Sequence, residues 1–332
     1  MTPLIYIFMR LRKNTTKSDI LCHVVGVCLY KIKEFYMNLL SFMKEFPTEQ
    51  SCKEHFITYR KGKGVVCQKC ASTEHYWLSC KEQFQCKQCR FRTTLRSGTV
   101  LHATKLPYMY WYIAMHLMTS TKKGFSAHEL KRQLGHKRYE PIWAMMHKIR
   151  ESMGLADAKF ILKDSVGIDD AYISTYTSMQ DRVELKRGKG SQKKSKVTVM
   201  VESIPLEKNG KEEMYMGKAK LVLNPSEESE NIDSIALQNI ASDSILFSDK
   251  SSSYVNLKNY FEENIQTISE ELKSKIDLKW INVTISNLKR FLLGIYHVVK
   301  ERYLQEYLNE FAFKLNRRNY TNKFDNLLLN SI

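Results

Sequence analysis

The sequence lacks an apolar run long enough to cross a bilayer. The stretch Ile20 to Tyr30 falls short of the ~20 residues a membrane helix needs, and it contains His23. Neither it nor Met1 to Arg10 is followed by a small-residue cleavage site, so no secretion signal is expected. No basic helix with a clear apolar face stands out, which argues against attachment to a membrane surface. A disulfide framework is missing too. Of the eight cysteines, Cys22, Cys28, Cys52 and Cys80 follow no framework spacing, and a reducing compartment is the expectation. Acidic side chains are in short supply: 35 Asp and Glu stand against 52 Lys and Arg, a formal net charge of +17. That balance favours a polyanionic partner, because phosphate contacts release counterions without any reading of sequence.

At 332 residues and 43% hydrophobic composition, the chain has material for two or three domains. Residues 1–50 read as an extension of unknown role. The other four cysteines, Cys67, Cys70, Cys86 and Cys89, form two Cys-x-x-Cys pairs at the spacing of a zinc ribbon, predicted over residues 51–98. Each pair would supply one knuckle, and four thiolates would enclose one Zn2+. Lys61, Lys63, Lys69, Lys81, Lys87, Arg90, Arg92 and Arg96 are interleaved with the pairs, a density that suits phosphate contacts.

Residues 99–155 read as three helices. Pro107 opens the first, in the turn where its missing N–H does no harm. Ser126 and Glu129 form a capping-box pattern for the second, and Gly135 stands where a left-handed residue ends it. The third spans about Tyr139 to Met153, with Ile142, Met145, Met146 and Ile149 on one face and Lys148 and Arg150 elsewhere. A short helix, a glycine turn and a basic third helix suggest a helix-turn-helix, and Lys148 and Arg150 are taken as DNA contacts.

From about Lys163 the texture becomes mixed α/β. Strands are predicted at Ser165 to Ile173, Lys196 to Glu202, Met214 to Leu223 and Ser244 to Asp249, with Val197, Val199 and Val201 alternating on one face. Helices are predicted at Ile235 to Ala241, at Tyr254 to Phe261, and over most of Val283 to Arg318. The basic loop carrying Lys186, Arg187 and Lys189 reads as a phosphate clamp, a solvated linker or, in a eukaryotic host, a nuclear signal. Asp169 and Asp249 each follow an apolar strand. Carboxylates emerging at strand ends can share magnesium ions for phosphodiester chemistry, although such residues are also ordinary turn formers.

Several ordered motifs resemble a bacterial insertion-sequence family, the zinc-ribbon DDE transposases with an ISXO-type domain, related to Merlin elements of eukaryotes. They include Cys67-Gln-Lys-Cys, Cys86-Lys-Gln-Cys, Ser97-Gly-Thr-Val and Lys122-Lys-Gly-Phe-Ser-Ala. Ile168-Asp-Asp-Ala-Tyr-Ile, Ser248-Asp-Lys, Ile285-Ser-Asn-Leu-Lys-Arg-Phe-Leu-Leu-Gly-Ile-Tyr-His, Tyr303-Leu-Gln-Glu-Tyr-Leu-Asn-Glu-Phe and Asn316-Arg-Arg continue the match. The resemblance implies a multidomain α/β protein whose residues 160–320 form an RNase H-like, mixed-sheet catalytic domain. It implies Asp169 and Asp249 as Mg2+ or Mn2+ ligands. Asn287 falls at the third position, followed by Lys289, and Asn282, seven residues before Lys289, is the alternative. Arg290 stands where a DNA phosphate would lie, with His297, Arg317 and Arg318 as further candidates. Asp170 replaces the usual Glu.

The function so implied is DNA transposition: binding of terminal inverted repeats in double-stranded DNA, then metal-dependent hydrolysis and strand transfer. A homo-oligomer on DNA is expected, in the cytoplasm (nucleoid) of a bacterium or the nucleus of a eukaryote. The rival readings are a catalytically inactive or domesticated DNA-binding derivative, and a zinc-ribbon RNA-processing factor.

Overall fold

The computed structural model describes residues 37–176, 193–208, 211–224, 229–249, 251–261, 263–267 and 278–331. The basic loop with Lys186, Arg187 and Lys189 lies outside these residues.

Two helices precede the ribbon. The Asn38 side chain accepts the Ser41 N–H to start α1 (Leu39–Glu45), and a capping box of Thr48 and Ser51 starts α2 (Glu49–Lys63). A three-stranded antiparallel sheet follows, β1 (His75–Leu78), β2 (Gln83–Cys86) and β3 (Arg92–Thr94). Next come α3 (Tyr108–Ser120), α4 (Ala127–Gln133) and α5 (Glu140–Asp157). Pro107 gives α3 no side-chain cap. Instead the Glu49 carboxylate accepts the N–H groups of Tyr108 and Met109, at 2.8 Å each, and neutralises the exposed helix end. Only half of the box expected for α4 forms. Ser126 Oγ accepts the Glu129 N–H, while the Glu129 carboxylate turns to Gln133 and Arg132. Gly135 takes φ 63, the left-handed conformation expected of it.

These helices and the ribbon share one core, built on Phe56, Phe84, Leu101, Trp111, Met115, Leu130, Ile142 and Met146. The far end of the chain completes it: α9 (Lys323–Ser331) inserts Phe324, Leu327 and Leu328. Each such side chain stabilises by about 1.5–3 kcal/mol on burial.

The second half is a five-stranded mixed sheet of β4 (Ser165–Ser174), β5 (Lys194–Lys208), β6 (Lys211–Leu223), β7 (Ile245–Asp249) and β8 (Glu263–Thr267). Its order is β6-β5-β4-β7-β8. The pairs β4–β5 and β5–β6 are antiparallel, and β4–β7 and β7–β8 are parallel. This is the sheet of an RNase H-like domain. One face is covered by α7 (Lys279–Leu293) and α8 (Leu304–Asn316), packed on Ala171, Ile173, Val197, Val199 and Val201. The other is covered by α6 (Ser229–Asn239) and the 3-10 turns of Ser252–Asn259, packed on Val166, Ile168, Met200 and Leu246. The segment expected to be a helix at Tyr254 to Phe261 is therefore mostly 3-10.

The two halves meet along α5 and α8. They approach closely at Gly154, where a Cβ would run into the Asn309 side chain. Beside it, Arg150 Nε donates to Glu310 Oε2 at 2.8 Å and Arg150 Nη2 to the Tyr296 hydroxyl at 3.0 Å, all inside the protein. Burial alone would raise the Glu310 carboxyl, but Lys314 and Arg150 outweigh it and hold it below its usual range. His147 packs against Trp143, Tyr303 and Tyr307 on the same seam. Burial, reinforced by Arg150, lowers it to about 3.

Two outcomes follow from this seam. Glu310→Ala strands a buried guanidinium and costs about 3–5 kcal/mol in urea denaturation at neutral pH. The folded state cannot protonate His147 until about pH 3, whereas the unfolded chain does so near pH ~6.5. Stability is therefore lost as pH falls below ~6.5. His147→Phe, measured at pH 7 and pH 5, reduces that loss.

Candidate metal centres

The two cysteine pairs sit on matching turns. After Cys70 and after Cys89 the chain takes a left-handed residue, Ala71 (φ 57) and Arg90 (φ 58). Each turn is closed in the same way, by Ala71 N–H to Cys67 O and by Arg90 N–H to Cys86 O. The amides of Cys67 and Cys86 then donate to Ser72 O and Phe91 O, so the second knuckle repeats the first. All four Sγ atoms lie within 4.8 Å of one another, with Cys67–Cys89 and Cys70–Cys86 at 3.5 Å. Sulfurs each ~2.3 Å from one tetrahedral ion would be about 3.8 Å apart, so the donor set fits zinc.

Two of the thiols are already polarised for a cation. The Cys89 amide, aided by the neighbouring Cys70 thiol and Gln88 amide, lowers Cys86 to about 6. Burial would raise Cys67, but the amides of Lys69 and Cys70 outweigh it. The Ser72 amide favours the Cys70 thiolate, yet the crowd of sulfurs pushes that thiol up to about 12. Four thiolates cannot accumulate here without a positive ion. Aromatic packing of Trp77 on Phe84 ties the centre to the helical core.

The second centre lies in the middle of the large sheet. β4 pairs with β7 through Ser165↔Ile245, Val166↔Leu246 and Gly167↔Phe247. The pairing ends there, but both strands run on, and two more residues in the same register set Asp169 opposite Asp249. Both aspartates belong to the face under α7, because a Cβ on Gly167 would meet Ile281 and Leu278, while Val166 and Ile168 belong to the opposite core. Local amides hold one oxygen of each carboxylate: Asp169 Oδ1 accepts the Asp170 N–H at 2.7 Å, and Asp249 Oδ1 the Ser251 N–H at 3.1 Å. Asp170 points to the other face, paired with Lys196 at 3.1 Å and Thr198 at 3.0 Å. Buried Tyr254 reports how acidic the place is. Burial first, then Asp170, Asp169 and Asp249, raise its phenol far above the ordinary value. Two neighbouring carboxylates on a rigid sheet suit a divalent cation.

The helix α7 lies across β4 and β5. Ile281, Leu288 and Leu292 face the sheet. At 100° per residue the helix has two flanks. One carries Trp280, whose indole N–H donates to Met214 O on β6, and Phe291, which packs on Phe311 of α8. Asn287 is on this flank, turned toward the β6 side, and its Oδ1 accepts from Arg290 Nη2 at 2.8 Å. Asn282 and Lys289, both exposed, are on the opposite flank, toward β7. Asn287 and Lys289, both expected at the site, thus lie on different flanks of the helix.

Of the remaining candidates, Lys148 is half-buried and donates to His102 O, and Arg290 and His297 are exposed. Arg150 is buried against Glu310, so it is a structural residue and not a phosphate contact. The signal was available: Arg150 follows Ile142 and Met146 at intervals of eight and four, inside the apolar arc. Arg317 is likewise buried, paired with Asp157, and Arg318 donates to the carbonyls of Met216 and Gly217. Arg96 braces Thr104 O and Leu106 O, while Arg90 and Arg92 stay exposed on the ribbon.

With this geometry in view, the comparisons are direct. Residues 161–316 match the ISXO2-like transposase domain, and residues 47–92 match the transposase zinc-ribbon domain. The chain belongs to the ISXO2-like transposase family. The ribbon match begins within the helix pair, so α2 is part of the family's ribbon unit. Among curated proteins none matches the chain. Among the described residues no helix of this transposase is long and apolar enough to cross a membrane.

The zinc centre makes a sharp expectation. Cys86→Ser abolishes zinc binding, read as metal per chain by elemental analysis, and unfolds the ribbon. Structural zinc contributes on the order of 10–16 kcal/mol to such folds. Cys80→Ser, outside the cluster, retains one zinc per chain.

Proposed function

We propose that this family member is an active DNA transposase: it holds terminal inverted repeats with the ribbon and helical region, and cuts and rejoins phosphodiesters at Asp169 and Asp249. The adjacency of these carboxylates at the centre of the sheet, on the face under α7, carries the reading. Its partner is double-stranded DNA, which a homo-oligomer would pair as two ends. It would act in the nucleoid of a bacterium or the nucleus of a eukaryote.

Asp169 and Asp249 would hold Mg2+ or Mn2+, which supplies Lewis-acid activation of water or a 3′-hydroxyl and stabilises the leaving oxygen. The protein's own part is positioning. Strand backbones fix the two carboxylates, and the Asp170 and Ser251 amides orient one oxygen of each. Asn282 takes the third position in preference to Asn287, because its flank of α7 looks toward β7. An amide oxygen there adds a ligand without charge, so the two aspartates carry most of the cation affinity. Lys289, one helical repeat along the same flank, meets the scissile strand as a point charge.

Cleavage of a labelled element-end duplex with Mg2+ or Mn2+ tests the assignment. Asp169→Ala and Asp249→Ala should each slow cutting by at least about 100-fold, the scale of losing one electrostatic stabiliser, while duplex binding persists. Asn282→Ala should raise the metal concentration needed for half-maximal cutting, and Asn287→Ala should not. Wild-type cutting by the two aspartate variants would sink the assignment. A wild-type protein that binds ends but never cuts them would instead be the silent, DNA-binding derivative.

A further inference from the structure

Away from the carboxylates, a cleft of about 530 Å³ opens where the ribbon's exit meets α5 and α9. Gly98 to Val100 form one wall. Lys63 enters from α2, and Lys148, Leu155 and Lys159 enter along one stripe of α5 and its continuation. Among the described residues Glu151 is the one acid in the lining, against three lysines.

Two of its cations, Lys148 and Lys159, meet only neutral acceptors among the described residues. Lys159 donates to Asn330 Oδ1 and Lys148 to His102 O, and Lys63 Nζ reaches Leu329 O at 3.3 Å. Lys148 and Lys159 have no carboxylate partner among the described residues. Behind the wall sits Arg60, 6% exposed, with Nη2 donating to Ser97 O at 2.9 Å and resting against Gly98. Arg60 Nε is buried with no hydrogen-bond partner among the described residues. Burial, then Lys159 and Arg60, lower the Lys63 ammonium. Like charges held together at a cost to folding are relieved by an anion.

A helix-capping role accounts for part of this arrangement, since Lys63 meets a carbonyl in the last turn of α9. It does not account for three lysines from separate chain positions meeting one open cleft, nor for the arginine behind it. We propose that this cleft is a phosphate site that takes a backbone phosphate of bound DNA, clamping the duplex between the ribbon and α5. The proposal rests on the DNA-binding reading above and gives it a location. The same oxyanion chemistry would also accept a free polyphosphate, so the test separates the two sources.

The full-length, zinc-loaded protein is titrated with a labelled duplex over a range of salt, alongside Lys63→Gln/Lys159→Gln and Leu155→Glu. Leu155 is exposed, so the second variant places a negative charge in the cleft without disturbing the core. Thermal melts without ligand check that each is folded, and melts with inorganic tripolyphosphate report anion binding. The expected result is a log–log salt slope shallower by about 1 in both variants, the share of one phosphate. Tripolyphosphate should stabilise the wild type more than either variant.

Unchanged slopes in folded variants overturn the DNA assignment. If tripolyphosphate stabilisation is nevertheless lost in them, the ligand is a free polyphosphate. If the double variant does not fold, Leu155→Glu decides alone. A wild type that binds no duplex defeats the DNA-binding reading itself, and with it the DNA source. In that case the absence of tripolyphosphate stabilisation removes the phosphate site as well.

Discussion

The parallel pairing of β4 with β7 joins two stretches of chain that β5, β6 and α6 hold apart in sequence. Parallel neighbours need such a crossover, and here its helix α6 covers one face of the sheet, while α7 and α8, which follow β7, cover the other. Once Gly167 lies beside Phe247, the faces of both strands are set by alternation, and the two aspartates fall on the same one. The absence of a side chain at Gly167 lets Ile281 settle onto the strand, which fixes the height of α7 above those carboxylates. A one-residue slip in the β4–β7 register would send one aspartate to the opposite face.

The ribbon-bearing half and the sheet are not strung together as beads. Arg150 and Glu310 meet in the seam between α5 and α8, with Lys314 and Tyr296 completing the polar contacts. Asp157 with Arg317 repeats the arrangement one step away. Charges sealed inside a seam tolerate little sliding, because any displacement leaves one of them unpaired in a low-dielectric setting. The ribbon, the helical region and the sheet are thereby held in one fixed relation.

Much of this was legible in the sequence where local rules decide. Four cysteines at knuckle spacing, the Ser126 cap, the left-handed Gly135 and the alternation of Val197, Val199 and Val201 each appear as read. What was missed depends on partners distant in sequence. Arg150 lies in the apolar arc of α5, but the carboxylate that keeps its charge there, Glu310, is 160 residues away. The acceptor of the Tyr108 and Met109 amides, Glu49, stands 59 and 60 residues before them. The edge strand Glu263–Thr267 carries no apolar alternation and takes its form from β7. Residues two apart on a helix point in different directions, so Asn287 and Lys289 fall on different flanks of α7.

The insertion of α9 into the amino-terminal core has a consequence for the order of events during synthesis. Phe324, Leu327 and Leu328 are the last pieces of a cluster otherwise made from residues 42–156 and Phe313. A nascent chain that has already emerged through α5 still exposes the apolar ground that α9 will cover. The amino-terminal half therefore reaches its native packing only after the sheet has been translated, and the polypeptide completes its two halves together rather than in sequence.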